Sequence, residues 1–254
     1  MILRRVIEHF RKQEWTAIFI DFLIVVIGVF IGIQVANWNE ARVDKARARG
    51  FLERIAGDID ADLEEYADRQ RFWGAVSAYG ATAVEYAETG DAQGRSKWEL
   101  ALAFFQASQV AEFRTTSATW DEMRSGGDLS LISNLDLRRA LSRYYTNAGN
   151  PALSERPSYR EHVREKIPLD VQDYIWSHCY GSDSISGQWF VDCAAPVDEA
   201  RSAAIVDALA DDAVLVGELR YWMSTMTVAA RIGRDRTQSA TDLRATIAEE
   251  IGKS

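Results

Sequence analysis

Residues 16–36 read TAIFIDFLIVVIGVFIGIQVA, and this stretch decides how the rest of the chain is read. At ~1.5 Å per residue it makes ~31 Å of helix, which matches a hydrocarbon core of ~30 Å. Trp15 and Trp38 flank it, where amphipathic rings favour the headgroup boundary. A secretory signal peptide has a shorter apolar run, ~7–15 residues, and ends at a small-x-small cleavage site. Here the run is longer, and Asn37-Trp38-Asn39-Glu40 after it is bulky and polar. The expectation is an uncleaved signal-anchor: one transmembrane helix over residues 16–37, with the lipid bilayer as its first partner.

The segment before it, residues 1–15, is patterned as well. Ile2, Leu3, Val6, Ile7 and Phe10 follow helical spacing, while Arg4, Arg5, Arg11 and Lys12 take the other side. Such a helix lies on an anionic leaflet, with those four basic residues as anchors, or it simply extends the span into the cytoplasm. Orientation is not decided by charge. Four Lys/Arg precede the span and four follow it closely (Arg42, Lys45, Arg47, Arg49), so the positive-inside comparison is a tie. The two cysteines, Cys179 and Cys193, fall in one downstream segment, a pattern that an oxidising compartment permits. The expected topology is a cytoplasmic N-terminus and a periplasmic C-terminal domain at a bacterial inner membrane.

Spacing inside the span adds a second signal. Gly28 and Gly32 form a small-x-x-x-small pair that lets two backbones approach. At ~100° per residue, Ala17, Asp21, Gly28, Gly32 and Ala36 share one face, with Gln34 on the other side. Asp21 is the one charge in the span, and an intramembrane acid is a functional-site hypothesis. Three readings stay open for it: solvation near the cytoplasmic headgroups, a contact between chains, or a proton path. The face itself points to a homo-oligomer or to a membrane partner subunit.

Residues 38–254 form the soluble domain. From residue 51 on, the chain holds 21 of the 29 Lys/Arg and 33 of the 38 Asp/Glu, a net −12. An acidic surface of this kind argues against nucleic acid as a partner, whose footprint is basic. Helical periodicity runs nearly throughout. Leu52, Ile55, Ile59, Leu63, Tyr66, Gln70, Trp73 and Ser77 recur in steps of three and four, giving a helix over about 40–88, continuous with the span or not. Thr89 to Gly94 breaks it. A second helix is expected over 96–109 and a third over 114–124, closed by Gly126-Gly127. Asp128 and Asn134 are candidate caps, the latter for a helix from Leu135 to about Ala148. A helix over 158–180 is kinked or split at Pro168. Residues 181–197 are a non-helical insert with a short strand at 188–191, stapled by a Cys179–Cys193 disulfide. Helix resumes near 199 and runs toward Ile251, with Gly233 as a permitted break. The fold class is therefore mainly α: an N-terminal transmembrane helix followed by a bundle of four or five long helices. The tryptophans of this part (73, 98, 120, 176, 189, 222) are assigned to core packing.

Chemistry is sparse. There are three histidines, His9, His162 and His178, and no HExxH, CxxC or phosphate-loop motif. Glu161, His162 and Glu165 make at most a fragment of a di-metal element and read as a charged face. His178 beside Cys179 is a weak thiol-base pair next to a disulfide partner. The expectation is a protein that is not an enzyme, with no catalytic, cofactor or metal residues.

The span ending in LIVVIGVFIGIQVANWNE resembles an uncharacterised family of bacterial single-span membrane proteins with a helical domain of unknown function. Thr116-Ser117-Ala118-Thr119-Trp120, Ser125-Gly126-Gly127-Asp128-Leu129-Ser130-Leu131-Ile132, and the run Asn134, Leu137-Arg138, Leu141, Tyr144-Tyr145 continue the likeness over about a third of the chain. The chain departs from it in Asp21, where Glu is expected, and in Ala36, where Asn is expected. The resemblance implies membrane location and a helical domain, and carries no activity. The functional expectation is an interaction or assembly module, oligomeric through the span face. The alternative is a ligand sensor coupling the bundle to the span.

Overall fold

The computed structural model describes residues 15–147, 149–153, 156–183 and 187–253. The basic segment with Arg4, Arg5, Arg11 and Lys12 lies outside the described residues, as do the side chains of Trp15 and Ala17. The chain divides into two compact units, one ending at Phe51 and one spanning Leu52–Lys253. Helix α1 (Trp15–Thr89) supplies residues to both, so the expected span and the first bundle helix are one helix.

In the first unit, every residue from Ile18 to Arg47 is exposed. Among the described residues, α1 is the one helix long and apolar enough to cross a membrane. A soluble domain rarely exposes an apolar surface of more than a few hundred Å², and here Phe, Ile and Val cover the whole circumference.

The second unit is a bundle built around a short central helix. Gly90 adopts φ +71° and ends α1 in a left-handed turn. Ser96 then opens α2 (Lys97–Ala107) with a capping box: its hydroxyl accepts from the Glu99 N–H, and the Glu99 carboxylate accepts from the Ser96 N–H. Nine of the eleven α2 residues are buried. A helix apolar on all sides belongs in the middle of a core. Around it lie α3 (Ala118–Ser125), a 3-10 turn (Asp128–Leu131), α4 (Leu135–Asn147), a second 3-10 turn (Pro151–Leu153), α5 (Ser158–Lys166) and α6 (Leu169–His178). Strands β1 (Tyr180–Ser182) and β2 (Gln188–Phe190) form an antiparallel hairpin, followed by α7 (Glu199–Ala210) and α8 (Ala213–Lys253).

Burying α2 buries the four carbonyls of its last turn, which have no partner within the helix. All four are satisfied from outside it. The Tyr159 hydroxyl donates to the Phe104 carbonyl at 2.7 Å. Ser108 donates to Phe105 through its hydroxyl and its N–H. The Gln109 N–H donates to Gln106, and Trp222 Nε1 donates to Ala107 at 2.8 Å. A little further on, Trp73 Nε1 donates to the Ala111 carbonyl at 2.9 Å. Two tryptophans assigned to simple packing are therefore also hydrogen-bond donors to buried backbone.

The helix count departs from four or five long helices. Two are long, α1 with 75 residues and α8 with 41; the other six described helices have 8–13. Pro168 separates α5 from α6 because it forces Ile167 into an extended conformation. Asp212 separates α7 from α8 by accepting the N–H groups of Val214 and Leu215. Gly233 causes no break in α8. Instead a Cβ there would lie 2.9 Å from the Trp73 ring, so the glycine permits a close approach of α1 and α8. Gly127 takes φ +76° beside the end of α3, and Asn134 Oδ1 accepts from the Asp136 and Leu137 N–H groups, as a cap should.

Two charged residues, Asp62 and Arg69, are buried in the bundle among the described residues. Asp62 on α1 is 1% exposed. It accepts from the Tyr144 hydroxyl at 2.5 Å and the Thr116 N–H at 2.8 Å, tying α4 and the segment before α3 to α1. Burial raises its pKa, and the hydrogen bonds from Tyr144 and Thr116 pull it back in part.

Candidate functional site

Three places among the described residues are candidates for a functional site: the exposed face of α1, the disulfide-bonded hairpin and a groove lined by arginines.

On α1, Asp21, Gly28, Gly32 and Ala36 are all exposed, and helical geometry puts them within an arc of about 80°. A Cβ added at Gly28 or Gly32 would meet nothing within 4 Å, so their small size serves no contact among the described residues. Trp38 is exposed, with the Arg42 guanidinium 5.8 Å from its ring.

Cys179 ends α6 and is bonded to Cys193, which follows β2. The bond brackets the hairpin, whose register pairs Tyr180 with Phe190 and Gly181 with Trp189. The hairpin is fastened to the centre of the bundle: Gln106 donates to the Cys179 carbonyl and Trp98 to the Cys193 carbonyl. The Phe190 ring lies 4.9 Å from Phe72. Trp189, on the other face of the strand, is exposed rather than in the core; strand alternation turns it outward when its neighbours face in. His178 stacks on Tyr174, and His162 Nδ1 lies 2.7 Å from Glu218, not among Glu161 and Glu165. Among the described residues no group of three His, Cys, Asp or Glu could hold a metal ion.

The third place was not foreseen from the sequence. A groove of about 590 Å³ is lined by Arg69, Arg114, Arg156, Arg160 and Arg164, with Glu65 and Glu112 as the acidic residues of its described lining. Arg156, Arg160 and Arg164 follow one another at four-residue steps, which makes one row along and just ahead of α5. Arg69 comes from α1 and Arg114 from the segment after α2, so the arginines converge from three parts of the chain. Arg160 is held by the Ser108 carbonyl at 2.7 Å and by Gln109 Oε1. The Arg164 guanidinium sits 5.3 Å from the Phe105 ring and 5.1 Å from Trp176, and its Nε is buried without a hydrogen-bond partner. Arg69 is buried and lies 3.3 Å from Glu65.

The electrostatic consequence is visible in the arginines themselves. Burial, followed by the charges of Arg160 and Arg156, pushes Arg164 down to about 10. Burial and then Arg156 push Arg160 down too. Both stay charged at neutral pH. Like charges in a half-buried concavity repel, and the chain supplies few carboxylates there although its net charge is −9. The sequence did carry one signal for this site, the R-x-x-x-R-x-x-x-R spacing of Arg156, Arg160 and Arg164.

The class defined by these features is a disulfide-bonded helical bundle carrying a long apolar N-terminal helix. No family model, no curated protein and no solved structure matches the chain.

Proposed function

We propose that this protein is anchored in a bacterial inner membrane by residues 16–37 and displays its helical domain to the periplasm as an interaction or assembly module. The observation that carries the proposal is the apolar surface of α1, exposed on every side from Ile18 onward. Water does not tolerate such a surface; a bilayer removes it from water. The Cys179–Cys193 disulfide supports an oxidising compartment for the domain. The likeness to single-span proteins of unknown function belongs to the same reading.

Self-association is proposed through the Ala17, Asp21, Gly28, Gly32 and Ala36 face. Glycines that relieve no contact among the described residues are suited to the close approach of a second helix. Crosslinking of the full chain in membranes tests this. Discrete oligomers are expected, and Gly28→Leu with Gly32→Leu should abolish them. Oligomers that survive the double substitution would remove this face from the interface, and monomers alone in the unsubstituted protein would overturn self-association.

A further inference from the structure

We infer that the arginine-lined groove between α1, α5 and the segment after α2 is a binding site for a ligand bearing phosphate groups. Three observations carry it. The groove gathers five guanidinium groups against two carboxylates, an imbalance that a ligand with two or three negative charges would cancel. Its volume of about 590 Å³ falls inside the ~300–1,000 Å³ of small-molecule sites. The arginines reach it from three parts of the chain, and a tetrahedral oxyanion can accept from several directions at once, whereas a planar carboxylate is satisfied by one fork.

The site is also preorganised. Hydrogen bonds to Ser108 and Gln109 hold Arg160, and two aromatic rings hold Arg164. Fixing such long side chains in advance lowers the entropy cost of binding. The buried Nε of Arg164 has no hydrogen-bond partner. The guanidinium is half-buried, and its Nη2 donates to Gln109 Oε1 at 3.4 Å, which holds it further. Arg114 and Arg156, by contrast, are exposed at the rim, where they add charge and carry little of the packing.

The inference is independent of the membrane reading and has its own test. The full chain in mild non-ionic detergent is titrated calorimetrically with pyrophosphate, and separately with dihexanoyl phosphatidate, at constant ionic strength. Saturable one-to-one binding of at least one probe is expected. Binding of pyrophosphate assigns the site to a soluble phosphate ester or anhydride, and binding of the lipid alone assigns it to a phospholipid headgroup. The Arg114→Gln, Arg156→Gln double variant should weaken binding at least about tenfold, since each lost charge-assisted hydrogen bond matters at that scale. Its ligand-free melting temperature should be unchanged or higher, because repulsion in the groove is relieved. No saturable binding of either probe, or equal binding by the double variant, would overturn the inference.

Discussion

Two apolar helical stretches of this protein invite comparison. Residues 18–36 of α1 and residues 100–107 of α2 both lack a continuous polar face, yet the first is exposed on all sides and the second is buried on all sides. Composition does not separate them. Length does: α2 has eleven residues, about 16 Å of helix, too short to cross a bilayer that needs about 20 residues. Their ends differ too. The apolar run of α1 is bounded by tryptophans, whereas α2 starts in a capping box and ends in carbonyls that Tyr159, Ser108, Gln109 and Trp222 satisfy. A helix destined for a protein core needs polar partners brought by the fold, and a helix destined for lipid keeps its hydrogen bonds to itself.

The sharpest way to break this contrast is truncation of one phenylalanine in each stretch. Phe104 is fully buried, so Phe104→Ala should cost about 3–5 kcal/mol of domain stability. Phe22 is 63% exposed, and Phe22→Ala should leave domain stability unchanged. Urea unfolding of the full chain in detergent, followed by tryptophan fluorescence, reads both. Comparable losses in the two variants would mean that α1 packs against protein.

Removing the staple comes next. Cys179→Ser with Cys193→Ser opens a loop of about 15 residues, worth about 3 kcal/mol in the chain-entropy model. The urea midpoint should fall by a matching amount, and a reducing agent should reproduce the shift in the unsubstituted protein. An unchanged midpoint would mean that the hairpin is held by its contacts with Gln106, Trp98 and Phe72 alone.

Trp222→Phe keeps most of the ring and removes one donor. It leaves the buried Ala107 carbonyl unpaired and should cost about 1–3 kcal/mol. A loss near zero would show that water reaches the end of α2, and that burial there is less complete than its accessibility indicates.

The smallest effect concerns pH. Burial raises the folded-state pKa of Asp62, so the folded state binds that proton more tightly than the unfolded chain. Its contribution is fully present below the unfolded value near 3.8 and is lost as pH rises through the folded value. Asp212 and Glu99 act oppositely, because their pKa values are lowered by hydrogen bonds and Asp212 sits at about 2. Asp62→Asn should therefore narrow, toward neutral pH, its stability deficit relative to the unsubstituted protein. Stability curves of the two proteins that run parallel between pH 4 and pH 7 (a window above ~3.9, the usual Asp value) would contradict the assignment.

Much of this fold was legible because its signals are local. The break after Thr89, the Asn134 cap, the split at Pro168, the strand near 188 and the Cys179–Cys193 pair each depend on a few adjacent residues. What escaped depends on distant ones. The burial of α2 on every side erases the periodicity that marks an amphipathic helix, so nothing in residues 97–107 announces that Tyr159 and Trp222 will complete its last turn. Gly233 reads as a helix breaker until Trp73, on another helix, is placed against it. The arginine groove follows the same rule. The row at 156, 160 and 164 is periodic, but Arg69 and Arg114 join it only through tertiary structure. The Asp21 face is the reverse case: it was legible as a spacing, and the described residues of a single chain offer it no partner.

The central claim is that α1 leaves water for lipid, and alkaline carbonate extraction of membranes from bacteria producing the full chain tests it most directly. Retention of the protein in the membrane pellet is expected. Release into the supernatant, together with peripheral proteins, would contradict the claim.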